Sequence, residues 1–351
     1  MRFDCCSYLG ALNTRQTGNQ TNVGNRTTSP TVKPPQSENQ SELQEQQEIG
    51  NDSVSKANKT QLVELLPNEL LGLINSQLPL AEQYEFAQLS QRFNDVVYTE
   101  KNDHVFHLDL TKYTTADGIE PILKKLTSVH KFKISGLNEE GKLGLFETAL
   151  QELSDVTFNT IQCDLSGNQL NSDQFKKINT ILLSKMNRLT SLNLRGNNIG
   201  DAGARAIANS QHLSKLTSLN LTRNNIGDEG AEAIAQSENI PNLTSLDLSS
   251  NNIGAEGARA IAQSENMPNL TSLNLWGNNI GTEGARAIAE SVNLSKLESL
   301  NLCGNNIGHE GAEAIAESVN MSKLTSLNLS FNNIGAEGKT VLRRQFPFVR
   351  L

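Results

Sequence analysis

The side chains able to do covalent or metal chemistry are few and scattered. Five histidines, His104, His107, His130, His212 and His309, stand in no H-E-x-x-H arrangement and beside no nucleophile spaced for a general base. Four cysteines, Cys5, Cys6, Cys163 and Cys303, form no C-x-x-C pair and have no histidine at metal-ligand spacing. The residue types therefore predict no catalytic group, no metal site and no cofactor. Unlinked cysteines also fit a reducing, cytoplasmic compartment better than a disulfide framework. The chemistry that remains is recognition, and it depends on where the chain puts its one tryptophan and its arginines.

The chain has 351 residues, a net charge of -8 and only 5% aromatic residues. The acidic balance argues against nucleic acid as partner. No apolar run is long enough to span a membrane, and the opening MRFDCCSYLGALNT is too short and polar for a signal peptide. A lipid on Cys5 or Cys6 would lack the glycine after Met1 and the adjoining apolar helix that such anchors use. Residues 1–58, rich in Asn, Gln, Ser and Thr, cannot bury enough apolar surface to offset their ordering entropy, and are expected to be disordered. Residues 61–98 change to a helical pattern. Leu70, Leu73, Ile74 and Leu78 recur on one face, and Pro67 and Pro79 sit where helices can start.

From Leu189 the chain repeats. Leu192, Leu219, Leu246, Leu273, Leu300 and Leu327 follow each other at steps of 27 residues within an L-x-x-L-x-L-x-x-N-x-I-G pattern. Leu192 and Leu194 alternate with Asn193, so a short strand turns both leucines inward. Asn197 and its equivalents can satisfy backbone groups of their own and adjacent coils. The GARAIA stretch puts Ala204, Ile207 and Ala208 on one helical face, with Arg205 outside. Looser copies occur around Leu108, Phe132 and Cys163. The predicted α/β architecture is a right-handed solenoid over 105–351, with a parallel sheet inside and helices outside. It has degenerate repeats at 105–188, regular ones at 189–338, and a cap at 339–351 drawing on Val341, Leu342, Phe346 and Phe348. Gly338-Lys339-Thr340 looks like the end of a phosphate-binding loop, but Asn333 stands where that loop needs glycine.

Strand parity then assigns the open, concave face. Its first two positions are uniform: Ser191 and its equivalents, then Asn193 and its equivalents. The third position and its following neighbour vary. On this face fall Arg195, Arg223, Trp276, Cys303 and Phe331, expected to form a partner-binding stripe for an unknown protein.

These repeats resemble ribonuclease-inhibitor-like leucine-rich repeats, and G-x-E-G-A-x-A-I-A, as in Gly254 to Ala262, looks like the GALA repeats of bacterial effectors. The stretch Leu66 to Val97 resembles an F-box on Leu66-Pro67-x-Glu69, Ile74, Leu78, Leu80, Leu89, Arg92 and Phe93. Phe93 stands where that family commonly has Trp, Gln83-Tyr84 where it favours an apolar pair, and Ser90 where it favours Cys. An F-box followed by leucine-rich repeats is the layout of substrate receptors in Skp–cullin–F-box ubiquitin ligases. The resemblance implies that Leu66, Pro67, Ile74 and Leu78 dock on a Skp-type adaptor while the concave face holds a substrate. GALA effectors share the layout, and a bacterium delivers them into host cytoplasm. The alternative is a repeat scaffold, or a regulator-binding protein, with no ubiquitin role.

Overall fold

The computed structural model describes residues 105–127 and 129–351. The polar tail, Cys5 and Cys6, and the F-box-like segment with Leu66, Pro67, Ile74 and Leu78 lie outside the described residues.

Alternation of buried leucine with polar residues makes short strands, each followed by a helix. The strands are β1 (Phe106–Asp109), β2 (Lys131–Ser135), β3 (Gln162–Asp164), β4 (Ser191–Asn193), β5 (Ser218–Asn220), β6 (Ser245–Asp247), β7 (Ser272–Asn274), β8 (Ser299–Asn301) and β9 (Ser326–Asn328). The helices are α1 (Ala116–Lys124), α2 (Lys142–Gln151), α3 (Ser172–Ile181), α4 (Gly200–Ala208), α5 (Asp228–Ala235), α6 (Ala255–Gln263), α7 (Gly281–Glu290), α8 (Gly308–Glu317) and α9 (Ala336–Gln345). All nine strands join one parallel sheet in chain order, the open solenoid of leucine-rich repeats. The first three strands coincide with the looser copies.

Constant repeat length sets the register. Leu192 pairs with Leu219, Leu219 with Leu246, and so on to Leu327. Each of these leucines is 1% exposed, so identical side chains stack into one continuous core. On the helical layer Gly203, Ala204, Ile207 and Ala208 are buried in α4, and the same four positions are buried in α5 to α8. Small residues let the helix sit close. A Cβ on Gly284 would come 2.4 Å from Ile280 Cγ2 and 3.0 Å from Ala258 Cβ, so glycine is the residue that fits there.

Three polar ladders join neighbouring coils. Asn251 donates through Nδ2 to the Leu221 and Leu248 carbonyls, both at 2.9 Å, and accepts at Oδ1 from the Asn224 and Ile226 amides at 2.9 and 3.0 Å. Ser237 Oγ donates at 2.6 Å to the Ala208 carbonyl at the end of the preceding helix, answering one of the acceptors a helix C-terminus leaves open. Asp201 Oδ1 accepts at 2.7 and 3.0 Å from the amides of Gly227 and Gly230, capping the helix of the next coil rather than its own.

After the last strand, Leu342 and Phe346 are buried. The chain then returns beside β9. The Arg350 amide donates to the Leu327 carbonyl at 2.9 Å, and the Leu329 amide donates to the Arg350 carbonyl at 2.8 Å. This pairing turns Phe348 outward to 41% exposure, and Val349 and Leu351 pack against the core in its place. No helix among the described residues is long and apolar enough to cross a membrane.

Candidate binding face

The open sheet face is built from three positions per strand, and only part of it is available to a partner. In the second row, Asn193 Oδ1 accepts from the Arg195 amide at 3.1 Å, and Asn220, Asp247, Asn274, Asn301 and Asn328 each accept from the amide two residues on. These side chains shape the turn that ends each strand. Their uniformity is therefore structural.

The third row is where coils differ. Arg195 is exposed, Thr222 and Ser249 are buried and hydrogen-bonded to each other at 3.1 Å, and Trp276 is half-buried. Cys303 is only 1% exposed, which corrects its expected place in the stripe. Parity sends it toward the open face, but parity says nothing of what a neighbouring coil lays across it. The Trp276 indole leans that way, with Nε1 3.8 Å from the point where a Cβ on Gly304 would stand. The other cysteine among the described residues, Cys163, is fully buried, and burial pushes its thiol far above the ordinary range. Both thiols are buried away from solvent.

Immediately after the third row, every coil from β3 onward places one residue in the left-handed region. Four are glycines: Gly167, Gly196, Gly277 and Gly304. Arg223 (φ 56), Ser250 (φ 54) and Phe331 (φ 58) occupy the same turn position. Left-handed backbone disfavours a side chain by roughly 1–2 kcal/mol. Phe331 is nonetheless 65% exposed, and the Arg223 side chain is exposed with no ion pair or hydrogen bond among the described residues. The Arg195 guanidinium is equally without a partner there, whereas Arg205 and Arg259 reach Glu229 and Glu256 at 3.0 and 2.7 Å. Arg195, Arg223 and Phe331 are thus exposed and Trp276 is half-buried, whereas Cys303 is buried.

One pairing escaped the sequence reading. His107 Nε2 lies 2.8 Å from Ser135 Oγ, because β1 and β2 pair Asp109 with Ser135 and His107 with Lys133. Burial, then the charge of Lys133, holds the imidazole below its ordinary range. A hydrolytic site would need a third group to orient the ring. The nearby Asp109 carboxylate is instead engaged by Thr111, at 2.8 Å from its hydroxyl and 3.2 Å from its amide. The pair reads as a hydrogen bond across two strands.

On the helical side, a groove of about 450 Å³ runs between α7 and α8, lined by Arg286, Glu290, Glu310, Glu313, Glu317 and Val319. Its acidic rim is ordinary solvated helix surface. Among the described residues no cluster of His, Cys, Asp or Glu is arranged to hold a metal.

Six segments, residues 185–208, 212–235, 239–262, 266–289, 293–316 and 320–339, match the sequence model of the family described as Leucine Rich repeat. No curated protein matches the chain. Among solved structures, it is similar to an internalin from Listeria monocytogenes, at 22% identity over 65% of this chain and 69% of that one, with a TM-score of 0.36. It is similar to the Rad7 and Elc1 complex of yeast, at 16% identity over 87% and 84%, with a TM-score of 0.48. It is also similar to Pollen Receptor Kinase 3, at 18% identity over 50% and 75%, with a TM-score of 0.31. At these scores the three add nothing to what the strand register and the six matched segments already show.

Proposed function

We propose that this leucine-rich-repeat solenoid is a non-enzymatic receptor. It holds a partner protein on the open face of its sheet through Arg195, Arg223, Trp276 and Phe331, and its F-box-like segment delivers that partner to a ubiquitin ligase. The observation that carries the receptor reading is the contrast on one face. Two rows of side chains are uniform, one of them spent on shaping turns, while the variable positions leave two guanidinia unpartnered among the described residues, a half-buried indole and an exposed phenyl ring. Arg and aromatic residues are the types that anchor protein interfaces. Such a receptor does no chemistry. It raises the concentration of its partner beside the enzyme that acts on it.

The ligase part rests on the match at Leu66, Pro67, Ile74 and Leu78 and on its place ahead of the repeats. The test is binding of the full chain to a purified Skp-type adaptor, with and without the double change Leu66→Ala, Pro67→Ala. The expected result is binding by the wild type and its loss in the double variant, with the repeats melting unchanged. A wild type that does not bind removes the ligase part and leaves a repeat scaffold whose open face still binds protein.

A further inference from the structure

The groups left on the open face are not mixed evenly along it. The two unpartnered guanidinia sit on neighbouring coils, Arg195 after β4 and Arg223 after β5. The two rings sit three and four coils further on from β4 and β5, Trp276 after β7 and Phe331 after β9. Between them, Asp247 already accepts from Ser249 through Oδ1 and from Asn274 through Oδ2.

We propose that this face takes an extended acidic segment of the partner protein, with carboxylates paired to Arg195 and Arg223 and an apolar side chain packed on Trp276 and Phe331. The inference rests on the receptor reading above and adds the chemistry of what is bound. The arginines select negative charge in a chain that is otherwise acidic overall, so the attraction is local rather than a property of the net field. The Trp276 Nε1–H has no acceptor among the described residues and is free to donate to a backbone carbonyl of the segment. Arg223 and Phe331 occupy a turn position that is glycine in four other coils, and within the described residues neither side chain makes a hydrogen bond, an ion pair or a ring contact. A side chain held at a strained position without an internal polar or ring partner is a candidate for an external one. Four strand spacings separate Arg223 from Phe331, ~19 Å, which about six residues of extended chain would span.

The test uses the full chain and fluorescein-labelled twelve-residue peptides on a Gly-Ser frame. Each carries two adjacent glutamates and one phenylalanine, at separations from two to nine residues. Parallel sets carry lysine for glutamate or alanine for phenylalanine, and a single-stranded oligo-dT serves as a polyanion. The expected result is tightest binding near a six-residue separation. It should weaken at least tenfold on losing the glutamates or the phenylalanine, and by a similar factor in Arg223→Gly and Phe331→Gly. Because glycine is native to that turn in other coils, both variants should melt at or above the wild-type temperature. No binding at millimolar peptide, equal binding of the lysine set, equal binding of oligo-dT, or affinity unchanged in both variants would overturn the proposal. A natural partner that docks on the open face through a basic segment would sink this inference and leave the receptor reading intact. A partner mapped to the helical side would sink both.

Discussion

Trp276 reaches across to the next coil, where its Nε1 lies 3.8 Å from the point at which a side chain on Gly304 would begin. The chain's only tryptophan and a glycine one repeat later are thus fitted to each other. Gly304 has φ 65, and Ser250 holds the matching turn at φ 54 with a side chain present. Gly304→Ser should therefore fold, with a shift of only a few degrees in melting temperature, while setting a polar hydroxymethyl group against the indole. The check is intrinsic fluorescence, which this single tryptophan reports alone. A red-shifted emission maximum is expected, and an unchanged spectrum would mean the ring does not rest on this turn.

The asparagine ladder gives a graded prediction. Asn251→Ala would strand the Asn224 and Ile226 amides and the Leu221 and Leu248 carbonyls. Leaving a buried group unsatisfied costs about 1–3 kcal/mol, so a loss of roughly 3 kcal/mol or more is expected. Asn224 has the same place one coil earlier, but its Oδ1 has no hydrogen-bond partner. Asn224→Ala should cost less. Urea denaturation of the two variants compares them, and equal losses would show that the acceptor half of the ladder contributes nothing.

Close packing of the helical layer predicts that Gly284→Ala is harmful although alanine favours helix. The new methyl would meet Ile280 at 2.4 Å, an overpacking expected to cost about 1–3 kcal/mol. Thermal melting checks this. A variant as stable as the wild type would mean that the helix can retreat from the sheet freely.

Much of this was legible in the sequence, and what escaped has a common cause. The strand period, the inward leucines and the buried Ala-Ile-Ala face follow from spacing within one coil, and the Asn ladder from an amide that both donates and accepts, recurring at a fixed step. Most other features that depend on two coils at once did not. Cys303 has the parity of an exposed residue, yet its exposure is set by its neighbours. Asp201 stands in the first turn of its own helix but caps the helix of the next coil. Ser237 appears as loop composition until it is seen bonding the previous helix end. The left-handed turn row was hidden because four glycines announce it and Arg223, Ser250 and Phe331 do not. His107 and Ser135 meet only once the register of β1 and β2 is known.

The same His107 predicts a pH effect. Burial and Lys133 lower its folded pKa, so as pH falls the unfolded chain takes up the proton first. Its stabilising contribution is present above the ordinary imidazole value of about 6.5 and is lost as pH drops through the lower folded value. His107→Gln should lose less stability than the wild type between pH 7.5 and pH 5, as read by denaturation midpoints. Identical pH slopes would place the titration elsewhere.

Nearest-neighbour stacking predicts that an isolated two-coil fragment does not fold, because each coil buries its apolar face only against the next. Circular dichroism of residues 189–242 should show no cooperative melt. A melt like that of the whole array would contradict this account of the fold.

The central claim is that the open face, and not the helical side, does the binding. Its most direct test is the affinity of a captured protein partner for the full chain, compared with Trp276→Ala on the open face and Val319→Ala on the helical groove. The account predicts a loss of roughly 2 kcal/mol or more for Trp276→Ala, with little loss of solenoid stability and no effect of Val319→Ala. Unchanged affinity in Trp276→Ala, or a loss that tracks a melting temperature lowered by many degrees, would assign that ring to structure and contradict the claim.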